Sequence, residues 1–545
     1  MSGEGGVGIR MAVLASALAV LPLSPLTSNR SPSLVVLVIV DQMRADYLAR
    51  FAHQWTGGFA RIYRGGTVFE HGEQDHAATE TAPGHATLLS GRYPTHTEIV
   101  LNSRGVQDSA APLIGHDSGP GASPHRFRGT TLVDWLLARD PDTRVLSVSR
   151  KDRGAIFPVG RAKVPVFWFD SGAFTTSRYY ADSLPAWVQA FNRRRSVERL
   201  AEASAAWNLM LPGSAYAEPV SEPFENRGPA DAFPHRFPTA RDAAVGQIAR
   251  FPWMDSLTLA FALEGVRALG LGRRANPDVL SISLSTTDAV GHAFGPDSRE
   301  IHDQLLHVDR WLGQFLDSLG AVIGNDRVVV VLTGDHGVTP IPEYTVTVRH
   351  RRAGRVWLGS MARGAAVELR ARVGRDFGLE FDGGLLLADV ASLKASGINV
   401  DSLAQALGSE AARAPGVARV YTPRTLAAAP ASDQRAALWR RLLPADYGWL
   451  FCAVTMDGYV WSGGGLGAEH SSANREDIEV PIVFYGPGIR AQRIARPVST
   501  VDIAPTLARL LGVSPMEALD GHVLGEVVRL YRKGSGEREE VRSEQ

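Results

Sequence analysis

The chain has 545 residues, 45% of them hydrophobic, enough apolar material for a large core in one large domain or two ordinary ones. Lysine plus arginine (57) equals aspartate plus glutamate (57), which excludes a chain-wide field of the kind that draws proteins to nucleic acid or anionic membranes, so any anion must be held by a local site. The single cysteine, Cys452, excludes an intramolecular disulfide and a cysteine-based zinc site, and its place in the apolar run Trp449 to Val454 reads as a packed core thiol.

From the N-terminus, Arg10 precedes an apolar stretch from Met11 to Leu23, and polar, proline-containing sequence follows from Ser24 to Ser33. This order reads as a signal peptide over residues 1–30. The stretch falls short of the ~20 residues a spanning helix needs. The expectation is a periplasmic or secreted protein with no lasting membrane anchor, its catalytic domain occupying residues 31–545. Leu34 to Val40 is the first of several short, β-branched apolar runs; Arg144 to Val148, Val279 to Leu284, Val328 to Leu332 and Val480 to Tyr485 follow. Runs of this kind, separated by helical patterns, predict an α/β fold: a mostly parallel central sheet flanked by helices on both faces. Arg299 to Leu319 places Ile301, Leu305, Val308, Leu312, Phe315 and Leu319 at helical spacing, with His302, Asp303, Asp309 and Asp317 elsewhere on its surface, and predicts a covering helix. Two insertions, at about 154–253 and 339–467, interrupt the alternation. The first, rich in aromatics, arginine and proline, predicts loops or a cap beside the sheet. The second has helix and strand patterns of its own and predicts a small subdomain. No internal repeat of solenoid or propeller length is evident.

Polar residues of catalytic type stand directly after the apolar runs. Asp41 follows Val40; Lys151 and Arg153 come shortly after Val148; Asp288 and His292 come after Leu284; Asp335 and His336 come after Leu332. Open α/β sheets bind ligands outside the carboxyl ends of their strands, so these distant residues can meet at one place. Asp and His suit zinc where cysteine is lacking, at about four ligands per ion. Asp41, Asp288, His292, Asp335, His336 and His470 suffice for two ions, and manganese or iron in one position is compatible with the same ligands. One Asp after a strand is ordinarily a helix cap, and one His is ordinarily a satisfied core or surface residue. The weight rests on the set, above all on adjacent Asp335-His336 and on Asp288 four positions before His292. The nucleophile candidate lies in Thr79-Glu80-Thr81-Ala82-Pro83-Gly84-His85. Pro83 fits only a first helical turn, which puts Thr81 near a helix N-terminus, where free backbone N–H groups and the dipole favour an anion. Thr79 is the competing hydroxyl, and an ordinary threonine cap is the plainer reading of the segment alone.

Five segments in this order, spanning Leu34 to about Leu511, resemble the alkaline phosphatase superfamily: Val38 to Arg44 with Asp41, Thr81 to His85, Thr286 to His292, Gly334 to Gly337 and Thr500 to Thr506. The resemblance implies one zinc on Asp288, His292 and His470 and a second on Asp41, Asp335 and His336 together with Thr81. It makes Thr81, immediately before the Ala-Pro-Gly-His run, the nucleophile, and it puts Asn102 in the place of an asparagine that contacts the phosphoryl oxygens. Ser149 to Ile156, with Lys151 and Arg153, is similar to the Lys-x-Arg segment of the phosphate-irrepressible alkaline phosphatases, which are monoesterases, and Phe167 to Asp170 continues the likeness. Nucleotide pyrophosphatases and phosphodiesterases on the same scaffold are the alternative. A monoester dianion shares charge over three non-bridging oxygens in a loose transition state, so fixed cations favour it. Arg153 offers a fork of donors and Lys151 a point charge. The implied activity is zinc-dependent hydrolysis of phosphate monoesters through a phosphothreonine intermediate, releasing inorganic phosphate. A phosphate ester is the expected partner, no nucleic-acid partner is expected, and a monomer is compatible with the sequence.

Overall fold

The computed structural model describes residues 32–115, 120–220, 224–225, 232–462, 465 and 467–528. The signal-peptide segment 1–30 lies outside the described residues. Nine strands form the main sheet: β1 (Leu34–Val40), β2 (Thr67–Glu73), β3 (Val145–Ser149), β4 (Val166–Asp170), β5 (Ala173–Thr175), β6 (Asp278–Leu284), β7 (Val328–Thr333), β8 (Glu479–Tyr485) and β9 (Gln492–Ser499). Their order across the sheet is β9-β2-β8-β7-β1-β6-β3-β4-β5. From β7 through β4 every pairing is parallel.

All seven residues of β1 are buried, because both faces of the sheet are covered. Its alternate side chains enter two separate cores. Leu34, Val36, Val38 and Val40 pack with helices α2 (Trp253–Leu269) and α4 (Arg299–Ile323). Val35, Leu37 and Ile39 pack with α1 (Thr81–Ser90) and α5 (Ile503–Leu511). The strand period of two thus sorts one apolar run onto two helix layers.

Three features differ from the sequence-based picture. Strand β8 runs antiparallel to both β7 and β2, since an unbroken apolar run encodes burial and not direction. The stretch 154–253 is more than loops and cap, because β4 and β5 extend the sheet from within it. Its later part covers α4 at His302 and Asp303, and the segment 56–60 covers Asp309, so that all three are buried and not at a helix surface. Asp303 accepts from the Trp207 indole at 2.6 Å, and His302 Nδ1 lies 2.8 Å from Glu218. Asp309 accepts four backbone N–H groups, those of Thr56, Gly57, Phe59 and Ala60, at 2.7 to 3.2 Å, closing the N-terminus of the helix Gly58–Gly65. Asp317 stays at the surface, paired with Arg61.

Within 339–467, Glu380–Asp382, Leu385–Leu387, Trp449–Thr455 and Val417–Tyr421 form a four-stranded antiparallel sheet in that spatial order. It has its own core around Leu386, Leu450 and Phe451. Cys452 is fully buried in its longest strand, and burial holds the thiol well above its usual pKa.

Candidate active site

The parallel register assembles the site. Val40 pairs with Leu284, Ile39 with Thr333 and Ser149 with Ser283, so four strands end level with one another. Asp41, Lys151, Asp335 and the helix α3 (Thr286–Phe294), which carries Asp288 and His292, therefore emerge on one edge. His470 reaches the same place from the loop before β8. Two glycines permit the approach. A Cβ on Gly84 would stand 2.1 Å from the Asp335 carbonyl oxygen, and one on Gly291 would stand 1.8 Å from Gln42 Oε1.

Two ligand-type clusters result, Asp288 with His336 and His470, and Asp41 with Asp335 and His336. His336 is common to both. His292 joins the first through Nε2, 3.3 Å from Asp288 Oδ1. Each of the three imidazoles spends its Nδ1 on a backbone carbonyl: His292 on Ala468 and His470 on Thr79, both at 2.8 Å, and His336 on Gly337 at 2.9 Å. All three Nε2 atoms are thereby turned to the carboxylates. His336 Nε2 lies 3.5 Å from Asp41 Oδ1 and 3.6 Å from Asp335 Oδ2, and it is buried without a hydrogen-bond partner.

Charge is concentrated in this space. Burial, reinforced by Asp335, raises Asp41 to about 6 against the pull of Lys151. Burial acts the same way on Asp288, but Lys151 and then His292 overcome it and hold that carboxyl well below the usual carboxylate range. His336 and His85 do likewise for Asp335. Burial alone would lower His292; the Asp288 charge and hydrogen bond raise it to about 9. His470 is pushed well below 6.5 by burial and by the neighbouring imidazoles of His336 and His292.

Thr81 opens α1 and is 1% exposed. The Lys151 ammonium lies 3.1 Å from its Oγ1, 2.6 Å from Asp41 Oδ2 and 2.7 Å from Asp288 Oδ2. The competing Thr79 hydroxyl donates to the Ser472 carbonyl at 3.0 Å, away from the carboxylates. Asn102 Oδ1 accepts the Ala82 N–H at 2.8 Å. That contact narrows the expectation of free amides at this helix end to Thr81 itself: Ala82 is committed to Asn102, Pro83 has no N–H, and Gly84 N–H bonds the Glu80 carbonyl. Arg153, in the short helix Asp152–Ile156, has a side chain 29% exposed, with its guanidinium 3.6 Å from Asp152.

Sequence reasoning assigned no role to Gln42 or His85. Gln42 sits at φ 66°, donates its backbone N–H to Asp335 Oδ1 at 3.1 Å and its amide to Asp288 Oδ1 at 3.0 Å, and so ties the two clusters together. His85 joins the Thr81 carbonyl (2.8 Å), Asp335 Oδ2 (3.1 Å) and the Ser283 hydroxyl (2.9 Å). Adjacency to Asp41 was the available signal for Gln42, and a position one helical turn beyond Thr81 was the signal for His85.

The family model for type I phosphodiesterase / nucleotide pyrophosphatase matches residues 35–378. The chain belongs to this family. Alkaline phosphatase PhoK of a Sphingomonas species is 31% identical over 90% of this chain and 91% of its own. The crystal structure of alkaline phosphatase PafA, of Elizabethkingia meningoseptica, superimposes with a TM-score of 0.84 at 28% identity, covering 91% of this chain and 99% of that one. A solved variant of PafA, with a TM-score of 0.83, 28% identity and the same 91% and 99% coverage, is substituted at a threonine, an asparagine, a lysine and an arginine. Its threonine-to-asparagine and lysine-to-arginine spacings, 21 and 2 residues, equal those from Thr81 to Asn102 and from Lys151 to Arg153. The chain is thus a hydrolase of the alkaline phosphatase superfamily, with an alkaline-phosphatase-like fold. No helix among the described residues is long and apolar enough to cross a membrane.

Proposed function

We propose that the chain hydrolyses phosphate monoesters at a two-zinc site in the periplasm or outside the cell, with Thr81 as nucleophile. The observation that carries the reading is the orientation of the three imidazoles, each anchored through Nδ1 so that Nε2 and its lone pair face buried carboxylates beside the Thr81 hydroxyl. This is the pattern by which proteins fix metal-binding histidines. The buried, unpartnered Nε2 of His336 and Oδ1 of Asp41, 3.5 Å apart, fit a metal and would otherwise be costly. Asp288, His292 and His470 would hold one zinc, and Asp41, Asp335 and His336 the other. Bound there, the ions would supply Lewis-acid charge for the attacking and leaving oxygens.

The remaining chemistry falls to the chain. Lys151, donating to Thr81 Oγ1, favours the ionised hydroxyl and fixes its direction. Attack on phosphorus in line with the ester oxygen forms the Thr81 O–P bond as the P–O bond to the alcohol breaks. Water then displaces Thr81 from the phosphothreonine and releases inorganic phosphate; the two inversions leave configuration at phosphorus retained. Asn102, with Oδ1 spent on Ala82, has its amide N–H groups to offer a phosphoryl oxygen. Arg153 and Lys151 would balance the dianion.

The family model also covers phosphodiesterases, but several relatives alike over nearly the whole chain are named alkaline phosphatases. Comparing kcat/KM for an aryl phosphate with that for its methyl diester tests the choice. The proposal requires the monoester to be preferred; a preferred diester overturns it.

A further inference from the structure

Glu80, between the two threonines, belongs to none of the groups assigned above, yet it is a carboxylic acid only 4% exposed within the catalytic segment. Its Oε2 accepts the backbone N–H of Asn102 at 2.7 Å. Asn102 in turn places Oδ1 on the Ala82 N–H at 2.8 Å, so that residues 80 and 82 grip Asn102 from either side of Thr81. Ser471, next to His470, helps to offset the burial that raises the Glu80 carboxyl. Ser471 N–H and His470 Nδ1 both reach the Thr79 carbonyl, at 3.2 and 2.8 Å. Over this knot lies the hairpin of the 339–467 insertion. Its Gly383 sits at φ 52°, and a Cβ there would stand 3.0 Å from Glu80 Oε1. Beside it, Asp382 accepts the Ser103 hydroxyl at 2.5 Å.

We infer that Glu80 is a positioning residue that fixes Asn102 at the phosphoryl group, with the Asp382–Gly384 hairpin as its roof. The inference rests on the reading of Asn102 as a phosphoryl contact. An acceptor on the Asn102 N–H sets the height of the 3-10 turn Asn102–Arg104 above Thr81. The side-chain amide then reaches the phosphoryl position without having to be ordered during turnover. A glutamine at position 80 preserves that acceptor, whereas an alanine removes it and leaves a buried N–H without a partner.

The test is a double-mutant cycle on an aryl phosphate monoester, comparing kcat/KM of the native chain with Glu80→Ala, Glu80→Gln, Asn102→Ala and Glu80→Ala/Asn102→Ala. Glu80→Ala should lose about tenfold or more, and Glu80→Gln should stay within about threefold of native. The double variant should be no slower than Asn102→Ala alone. If the Glu80→Ala loss multiplies the Asn102→Ala loss in full, Glu80 does not act through Asn102 and the inference fails while the parent reading stands. If Asn102→Ala leaves monoester hydrolysis at the native rate, the parent reading fails instead. Should Glu80→Ala not fold, the soluble isostere decides: Glu80→Gln as slow as Asn102→Ala overturns the inference.

Discussion

Two regions of this molecule bury histidines among carboxylates, and they are built differently. Along α4 and the segment covering it, most polar groups close on one another, although both ring nitrogens of His307 and Gln304 Oε1 lack a hydrogen-bond partner. His302 bonds Glu218 through Nδ1 and Gln54 through Nε2, His235 bonds Glu300, and Asp303 accepts from Trp207, the Met210 backbone and Tyr216. At the strand ends, His336 and His470 are anchored to backbone carbonyls through Nδ1, and His336 Nε2 and Asp41 Oδ1 have no hydrogen-bond partner. Composition does not separate the two; among the described residues, only at the strand ends do three or more ligand-type groups converge around an unpartnered atom. A closed polar network stabilises and specifies a core, whereas lone pairs held ready without a donor are what a metal requires.

The largest way to break that contrast is at the nucleophile. Thr81→Ala should cost turnover at least about 10³-fold while the chain still binds phosphate. Thr79→Ala, whose hydroxyl is spent on Ser472, should cost under about tenfold in the same assay. A dead Thr79→Ala with an active Thr81→Ala would reverse the assignment.

Next come the cations. Charge-assisted hydrogen bonds contribute about 1.5 to 3 kcal/mol each, so Lys151→Ala/Arg153→Ala should lose on the order of 10² to 10⁴-fold on a monoester. A diester carries one charge and should suffer less, so the monoester-to-diester ratio of kcat/KM should narrow by at least about tenfold. Equal losses on both substrates would favour the diesterase reading.

The contrast sharpens further when one histidine is removed from each region. His336→Ala should strip metal and activity, and should leave the thermal midpoint of the chelated protein within a few degrees of native. His302→Ala leaves the Glu218 carboxylate with one partner fewer in the core and should lower stability by about 3 kcal/mol, with activity per folded molecule unchanged. Calorimetry and metal analysis on both variants read this out.

The smallest effect is a proton. In the chelated chain Asp288 raises His292 to about 9, above its ordinary 6.5, so that pair's contribution to stability is complete below pH 6.5 and is lost as pH rises through 9. Zinc needs the neutral ring, so binding near pH 7.5 should release close to one proton from His292, measurable as a buffer-dependent binding enthalpy. Release should fall to about half a proton near pH 9 and vanish roughly a unit above it.

Much of this was legible in the sequence because buried parallel strands and their trailing polar residues leave strong local marks. β1, β3, β6 and β7 lie within a residue or two of where their apolar runs predict. The two outermost strands beyond β8 were not legible: Thr67–Glu73 and Gln492–Ser499 are mixed in polarity because only part of each is covered. The direction of β8 was hidden for the opposite reason, since complete burial erases alternation. In the site, the convergence of Asp41, Asp288, Asp335 and His336 followed from their places after strands. The roles of Gln42 and Glu80 did not, because they depend on tertiary contacts: Gln42 with carboxylates hundreds of positions away, and Glu80 with the Asn102 N–H across a non-local turn.

The most direct test of the central claim is anomalous diffraction at the zinc edge from crystals of the zinc-reconstituted protein. Two peaks are predicted, one bounded by Asp41, Asp335 and His336, the other by Asp288, His292 and His470, with none at His302 or His235. A peak within the α4 network, or no peak beside Thr81 in an enzyme that still hydrolyses monoesters, would contradict the account.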